Sequence, residues 1–104
     1  MKKISSSEAL HLIAPYVHAQ LLSAPYVNFE DVGKIQAALS PYENVSVSLK
    51  DRGDGYAYLL VRVSHFLTHT EKLYEIRDHG RRKKMYDNLA WIDAIEAYDA
   101  LFHD

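Results

Sequence analysis

The stretch Asn44–Lys50, NVSVSLK, alternates strictly between apolar and polar residues. Val45, Val47 and Leu49 fall on one side and Ser46, Ser48 and Lys50 on the other. Only an extended strand, with its two-residue period, sorts them this way. DRGDG follows, with two glycines free to adopt positive φ, and then the longer apolar run YAYLLVRVSHFL. The pattern predicts an antiparallel hairpin with Val45, Val47, Leu49, Ala57, Leu59, Val61 and Val63 on its core side. Tyr56, Tyr58, Leu60, Arg62 and Ser64 take the other face. A sheet with one apolar face must be covered by something, and the rest of the chain supplies helices.

The first helix opens on a capping box, Ser5 to Glu8 in SSSE, and Leu10, Ile13, Val17 and Leu21 recur at helical spacing. Pro15 inside this run removes a ladder bond and predicts a kink or a fresh helical start. Pro25 biases Ala24 away from helical angles and is expected to end the helix. A second helix should start at Asn28, with Glu30 and Asp31 in its first turn and Phe29, Val32, Ile35 and Leu39 as its apolar stripe. Gly33 weakens it by about 1 kcal/mol relative to Ala, and Pro41 closes it. All three prolines, Pro15, Pro25 and Pro41, are followed by tyrosine. Their structural places differ and a ten-residue spacing matches no repeat architecture, so they read as punctuation.

Beyond the hairpin, KLYEIRD predicts a third strand, which His79-Gly80 turns into a short fourth, RRKKMY. A helix from Thr70 to Gly80 competes, since Thr70 can cap it and Leu73 and Ile76 are helically spaced. The final run DNLAWIDAIEAYDALF places Trp91, Ile95, Tyr98 and Phe102 on one helical face and Asp93, Glu96 and Asp99 on the opposite one. The fold class is therefore α+β, a single domain over residues 1–104. Its order is α-α-β-β-(β)-(β)-α, an antiparallel sheet packed against helices.

The chain has 104 residues, no cysteine and a net charge of −2. Disulfides and thiolate metal sites are excluded. The N-terminal run is interrupted by Glu8, His11 and Pro15, so it does not read as a signal peptide. No apolar run approaches the roughly 20 residues of a membrane span. We expect a cytoplasmic location without membrane contact. The charge is segregated: Lys72–Lys84 holds six basic residues against two acids, and Asp87–Asp104 holds five acids and no Lys or Arg.

Several short motifs read more simply as structure. His65 and His69 have the i, i+4 spacing of a helical zinc pair. At a strand end, however, about 13 Å would separate them, so we expect no metal. Arg52-Gly53-Asp54 is what a hairpin turn requires, and Asn44-Val-Ser is a glycosylation signal only on a secreted chain. No nucleophile elbow, phosphate loop or dinucleotide glycine pattern occurs. We therefore expect no catalytic residues, no enzyme activity and no cofactor.

The remaining candidates are the tyrosines and the basic run. Tyr56 and Tyr58 would form an aromatic strip if their face is uncovered. Arg77, Arg81, Arg82, Lys83 and Lys84 form a cationic segment beside it. Together they suggest a small non-catalytic protein-binding module of inhibitor, immunity or adaptor type, whose partner presents an acidic surface. The alternative is an accessory or regulatory protein that grips nucleic acid with residues 77–84. The sequence leaves the oligomeric state open.

Overall fold

Elements and their causes

A computed structural model describes residues 2–82, 84 and 85. The C-terminal helix expected over DNLAWIDAIEAYDALF lies outside the described residues, as does Lys83.

Helix α1 (Ser6–Ile13) begins as its capping box requires. The Glu8 amide donates to Ser5 Oγ at 3.2 Å, and the Ser5 hydroxyl donates back to Glu8 Oε1 at 2.9 Å. Ala9 and Ile13 face the core. The helix then stops short of the expected Val17 and Leu21. Pro15 lies in a 3₁₀ turn, Ala14–Tyr16, which leads the chain into a strand, β1 (Val17–Gln20). Strand β2 (Ser23–Asn28) returns antiparallel to it. Residues 17–28, expected as the end of a helix and a loop, therefore form a hairpin. Pro25 sits inside β2, near an irregularity in the register between His18 and Gln20. It has no N–H with which to extend the pairing, and β2 joins its other neighbour only from Tyr26 onward.

Asn28 ends β2 and precedes a 3₁₀ turn, Phe29–Asp31, without making the expected side-chain capping bond, and the turn runs into α2 (Val32–Leu39). Val32, Ile35 and Leu39 are buried as their spacing predicts, with Phe29 packed beside them. Pro41 follows the end of α2, whose last residue is Leu39, although Ser40 keeps helical angles as the C-cap and is not pushed into an extended conformation.

Strands β3 (Val45–Asp51) and β4 (Ala57–His65) form the predicted hairpin, with Val47 opposite Val61 and Leu49 opposite Leu59. Strand β5 (Thr68–Asp78) is longer than KLYEIRD and settles the choice against a helix over 70–80. It pairs with β4 over its first eight residues, and its last two meet the short β6 (Arg81–Arg82).

Topology

The sheet order is β1-β2-β5-β4-β3, with β6 also on β5. One prediction needs correction here. The sheet is mixed, because β2 runs parallel to β5 with Tyr26 level with Glu75. The chain makes this connection by leaving β2 through α2 and the β3–β4 hairpin, a route long enough for a parallel crossover. The architecture remains α+β, and the observed order is α-β-β-α-β-β-β-β among the described residues.

Val27, Val47, Ala57, Leu59, Val61, Val63, Tyr74 and Ile76 make the sheet side of the core, with Ala9, Ile13, Val32, Ile35 and Leu39 from the helices. Asn44 ties the N-terminal segment to this layer. Its Oδ1 accepts from the Ile4 amide at 3.0 Å, and its Nδ2 donates to the carbonyls of Ile4 at 2.7 Å and Ser64 at 2.8 Å. The asparagine of the glycosylation-like triplet is thus occupied within the fold.

Candidate functional site, an arginine, tyrosine and carboxylate cluster

On the sheet face away from the helices, the strand register lines up His18, Tyr26, Glu75, Tyr58 and Lys50 in one row. At its centre Glu75 is buried, yet it is fully partnered. Arg77 Nε donates to Glu75 Oε1 at 2.7 Å, and Arg82 Nε lies 3.1 Å from Oε2. The β5–β6 turn makes this possible. His79 and Gly80 both take positive φ, which folds Arg82 back beside Arg77.

Each arginine also lies over a tyrosine. Arg77 sits 4.0 Å from the centre of the Tyr26 ring, and Arg82 sits 3.9 Å from that of Tyr56. Tyr26 in turn stacks on His18, centroids 4.9 Å apart. Planar guanidinium groups suit this double duty, donating in their plane and stacking through their face.

The β3–β4 turn completes the cluster. Asp51 Oδ1 accepts from the amides of Gly53 at 2.7 Å and Gly55 at 3.1 Å, so DRGDG is wound around one carboxylate. Asp54 then points back to the sheet. It accepts from the Tyr58 hydroxyl at 2.7 Å and from the Tyr56 amide at 3.0 Å, with Arg82 Nη2 3.7 Å away. The Tyr58 bond and then the Tyr56 amide hold the Asp54 carboxyl below its usual value. Burial, then the neighbouring Asp54, pushes the Tyr58 phenol up. Burial works against the charge on Arg82, but Glu75, Tyr58 and Tyr56 together outweigh it, so that value is raised.

The predicted site residues thus divide. Tyr58 is buried and supports the cluster from beneath, and the Arg77 side chain is only 12% exposed. Arg82 is half exposed at 46%, Tyr56 is partly covered, and Arg81 and Lys84 are exposed. Arg82 finds its acids in Glu75 and Asp54, within the sheet and its turn. Arg52, first read only as a turn residue, is exposed and stands 5.5 Å over the Tyr58 ring. Glu75 and Tyr26 were also missed. Their place depends on the parallel β2–β5 register, which has no local signal.

His65 and His69 flank the tight β4–β5 turn, on different strands, with His65 opposite Thr68 and His69 opposite Ser64. Their side chains therefore leave opposite faces of the hairpin. Elsewhere, an open groove of about 410 Å³ is lined by Ile4, Ser7, Glu8, His11, Leu12 and Tyr42, and its carboxylate, Glu8, is engaged by Ser5. Among the described residues no helix is long and apolar enough to cross a membrane.

No protein-family model matches this chain, and neither a curated protein nor a solved structure matches it.

Proposed function

We propose that the chain is a non-catalytic cytoplasmic binding module that holds an acidic surface of another protein, in the manner of an inhibitor, immunity or adaptor protein. The observation that carries this reading is the fixing of Arg82 between Glu75 and the Tyr56 ring, at the end of the sheet from which Arg52, Arg81 and Lys84 project. A guanidinium held in place loses little further freedom when a partner carboxylate docks on it. Exposed cations around it would steer an acidic partner toward the same point. Lys83 belongs to this group by sequence.

Two carboxylates weigh against the nucleic-acid alternative. Asp54 and Glu75 are interleaved with the arginines, so the surface is no continuous positive track for a phosphate backbone. Separate cations with acids between them suit the discrete carboxylates of a protein surface.

The test replaces Arg52, Arg81, Lys83 and Lys84 together by Ser, sparing Arg82 and the fold. Affinity capture from the source cell, with mass spectrometry of both protein and nucleic acid, should return a protein whose association rate drops in the variant and in added salt. Capture of a nucleic acid that binds below micromolar concentration at physiological salt would overturn the reading.

A further inference from the structure

The end of the sheet away from the cationic turns carries a different surface. Strand β2 runs parallel to β5, so the β1–β2 and β4–β5 turns project at the same end. These turns hold Leu21, Leu22, Phe66 and Leu67, which are 92%, 101%, 95% and 101% exposed. Leu22 and Phe66 have φ of 68° and 54°. A large side chain is strained in that left-handed region, where turns ordinarily place Gly or Asn. Turn chemistry therefore favours smaller residues at both positions, and the fold gains no burial from the large ones.

The register staggers the two tips. Continued back from Tyr26 beside Glu75, it sets Leu22 level with Glu71, so Phe66-Leu67 leads by roughly four residues, or about 13 Å. In the step between them Thr68 to Lys72 are all exposed. Beside Phe66 lies a recess of about 290 Å³, lined also by Lys3, Asn44, Ser64 and His65. The N-terminal segment reaches this end because the Glu43 amide donates to the Lys2 carbonyl and Asn44 holds Ile4. The carboxylates nearby are engaged. Lys3 Nζ lies 3.9 Å from Glu43 Oε1, and Arg62 Nε donates to Glu71 Oε1 at 2.7 Å. Lys2 and Lys72, both exposed, are left in surplus.

We propose that these tips seat the domain on an anionic lipid bilayer. Phe66 and Leu67 enter first, and Leu21 and Leu22 follow as the sheet leans toward its β1 edge. Shape selects a bilayer over a protein. Side chains that stand almost wholly clear of the fold form no contiguous face, and a protein partner would need a preformed pocket for each. A fluid bilayer closes around separate protrusions, and its affinity grows with the apolar area buried. Charge selects anionic lipid, since Lys2 and Lys72 flank the tips at headgroup level and the recess offers Lys3 and His65 to a headgroup phosphate. Seating on a surface needs no spanning segment, so no long apolar run marks it in the sequence. The cationic turns lie at the far end of the sheet, so this inference does not rest on the proposed partner surface.

Co-sedimentation with lipid vesicles tests it. The full chain should pellet with vesicles of equal parts phosphatidylcholine and phosphatidylserine, and clearly less with phosphatidylcholine alone. Leu22→Gly combined with Phe66→Gly should weaken binding by about tenfold or more, from the apolar area lost. The same variant should hold or raise the thermal midpoint, because glycine suits both turns. Replacing Lys2, Lys3 and Lys72 by Ser should remove the preference for the charged vesicles. Replacing Arg52, Arg81, Lys83 and Lys84 by Ser should leave most of the vesicle binding in place, and excess inorganic phosphate should not displace the protein. Failure to pellet with either vesicle would overturn the proposal, as would a glycine variant that binds like the unmodified chain. So would an equal loss in the Arg52, Arg81, Lys83 and Lys84 variant, which would assign binding to bulk charge. Pelleting without vesicles that the glycine changes abolish would assign the tips to self-association instead.

Discussion

Arg82 Nε lies 3.1 Å from Glu75 Oε2, on a carboxylate whose other oxygen already accepts from Arg77. Glu75, with a side chain only 8% exposed, is therefore a shared anchor for two cations. Removing its charge takes from both arginines the carboxylate that they share. Glu75→Gln should cost about 2–4 kcal/mol in urea denaturation. Arg82→Ala should cost less, about 1–2 kcal/mol, because it is half exposed and Arg77 still partners the carboxylate. Equal losses for the two substitutions would argue against the shared-anchor arrangement.

Asn44 uses both ends of its amide to tie Ile4 and Ser64 together. Asn44→Ala breaks three hydrogen bonds and should destabilise the domain by about 2–3 kcal/mol. Asn44→Asp keeps an acceptor for the Ile4 amide but sets a carboxylate against two carbonyls, so it should be no better tolerated. Hydrogen exchange at Ile4 and Glu43 should quicken in both variants. An unchanged exchange pattern would show that the N-terminal segment is held by other contacts.

Burial holds the Tyr74 phenol above its ordinary value. Below about pH 10 the group is neutral in the folded and unfolded chain alike, and its contribution is complete. As the pH rises further, the unfolded chain releases this proton first, and stability falls until the folded phenol ionises too. Tyr58, raised first by burial, adds to the same alkaline loss. The denaturation midpoint should therefore fall less steeply above pH 10 in Tyr74→Phe than in the unmodified protein. Parallel curves would count against this cause.

Leu59 has no exposed surface and sits between Leu49 and Tyr74 in the ladder. Leu59→Asp would bury an unpaired carboxylate at a cost of several kcal/mol, enough to abolish a cooperative melt. A melt near the original temperature would contradict the assigned core face.

The β3–β4 hairpin, the cap at Ser5 and the stripe of α2 were legible because each is encoded within a few residues. A period of two, a hydroxyl three residues before a glutamate, and an apolar spacing of three and four all act locally. Residues 17–28 show the opposite case. Val17 and Leu21 continue the helical spacing of α1, yet the chain gains more by pairing β2 with β5, some fifty residues away, and burying Val27 against Ile76. That decision belongs to tertiary packing, which overrides local propensity. The candidate site divides the same way. The sequence by itself determined that tyrosines and cations would lie close together between positions 56 and 84. Only the tertiary structure decided which of them are exposed. The parallel register brings Glu75 between Tyr26 and Tyr58, and the β5–β6 turn folds Arg82 back onto it, consuming some charges internally and leaving others at the rim.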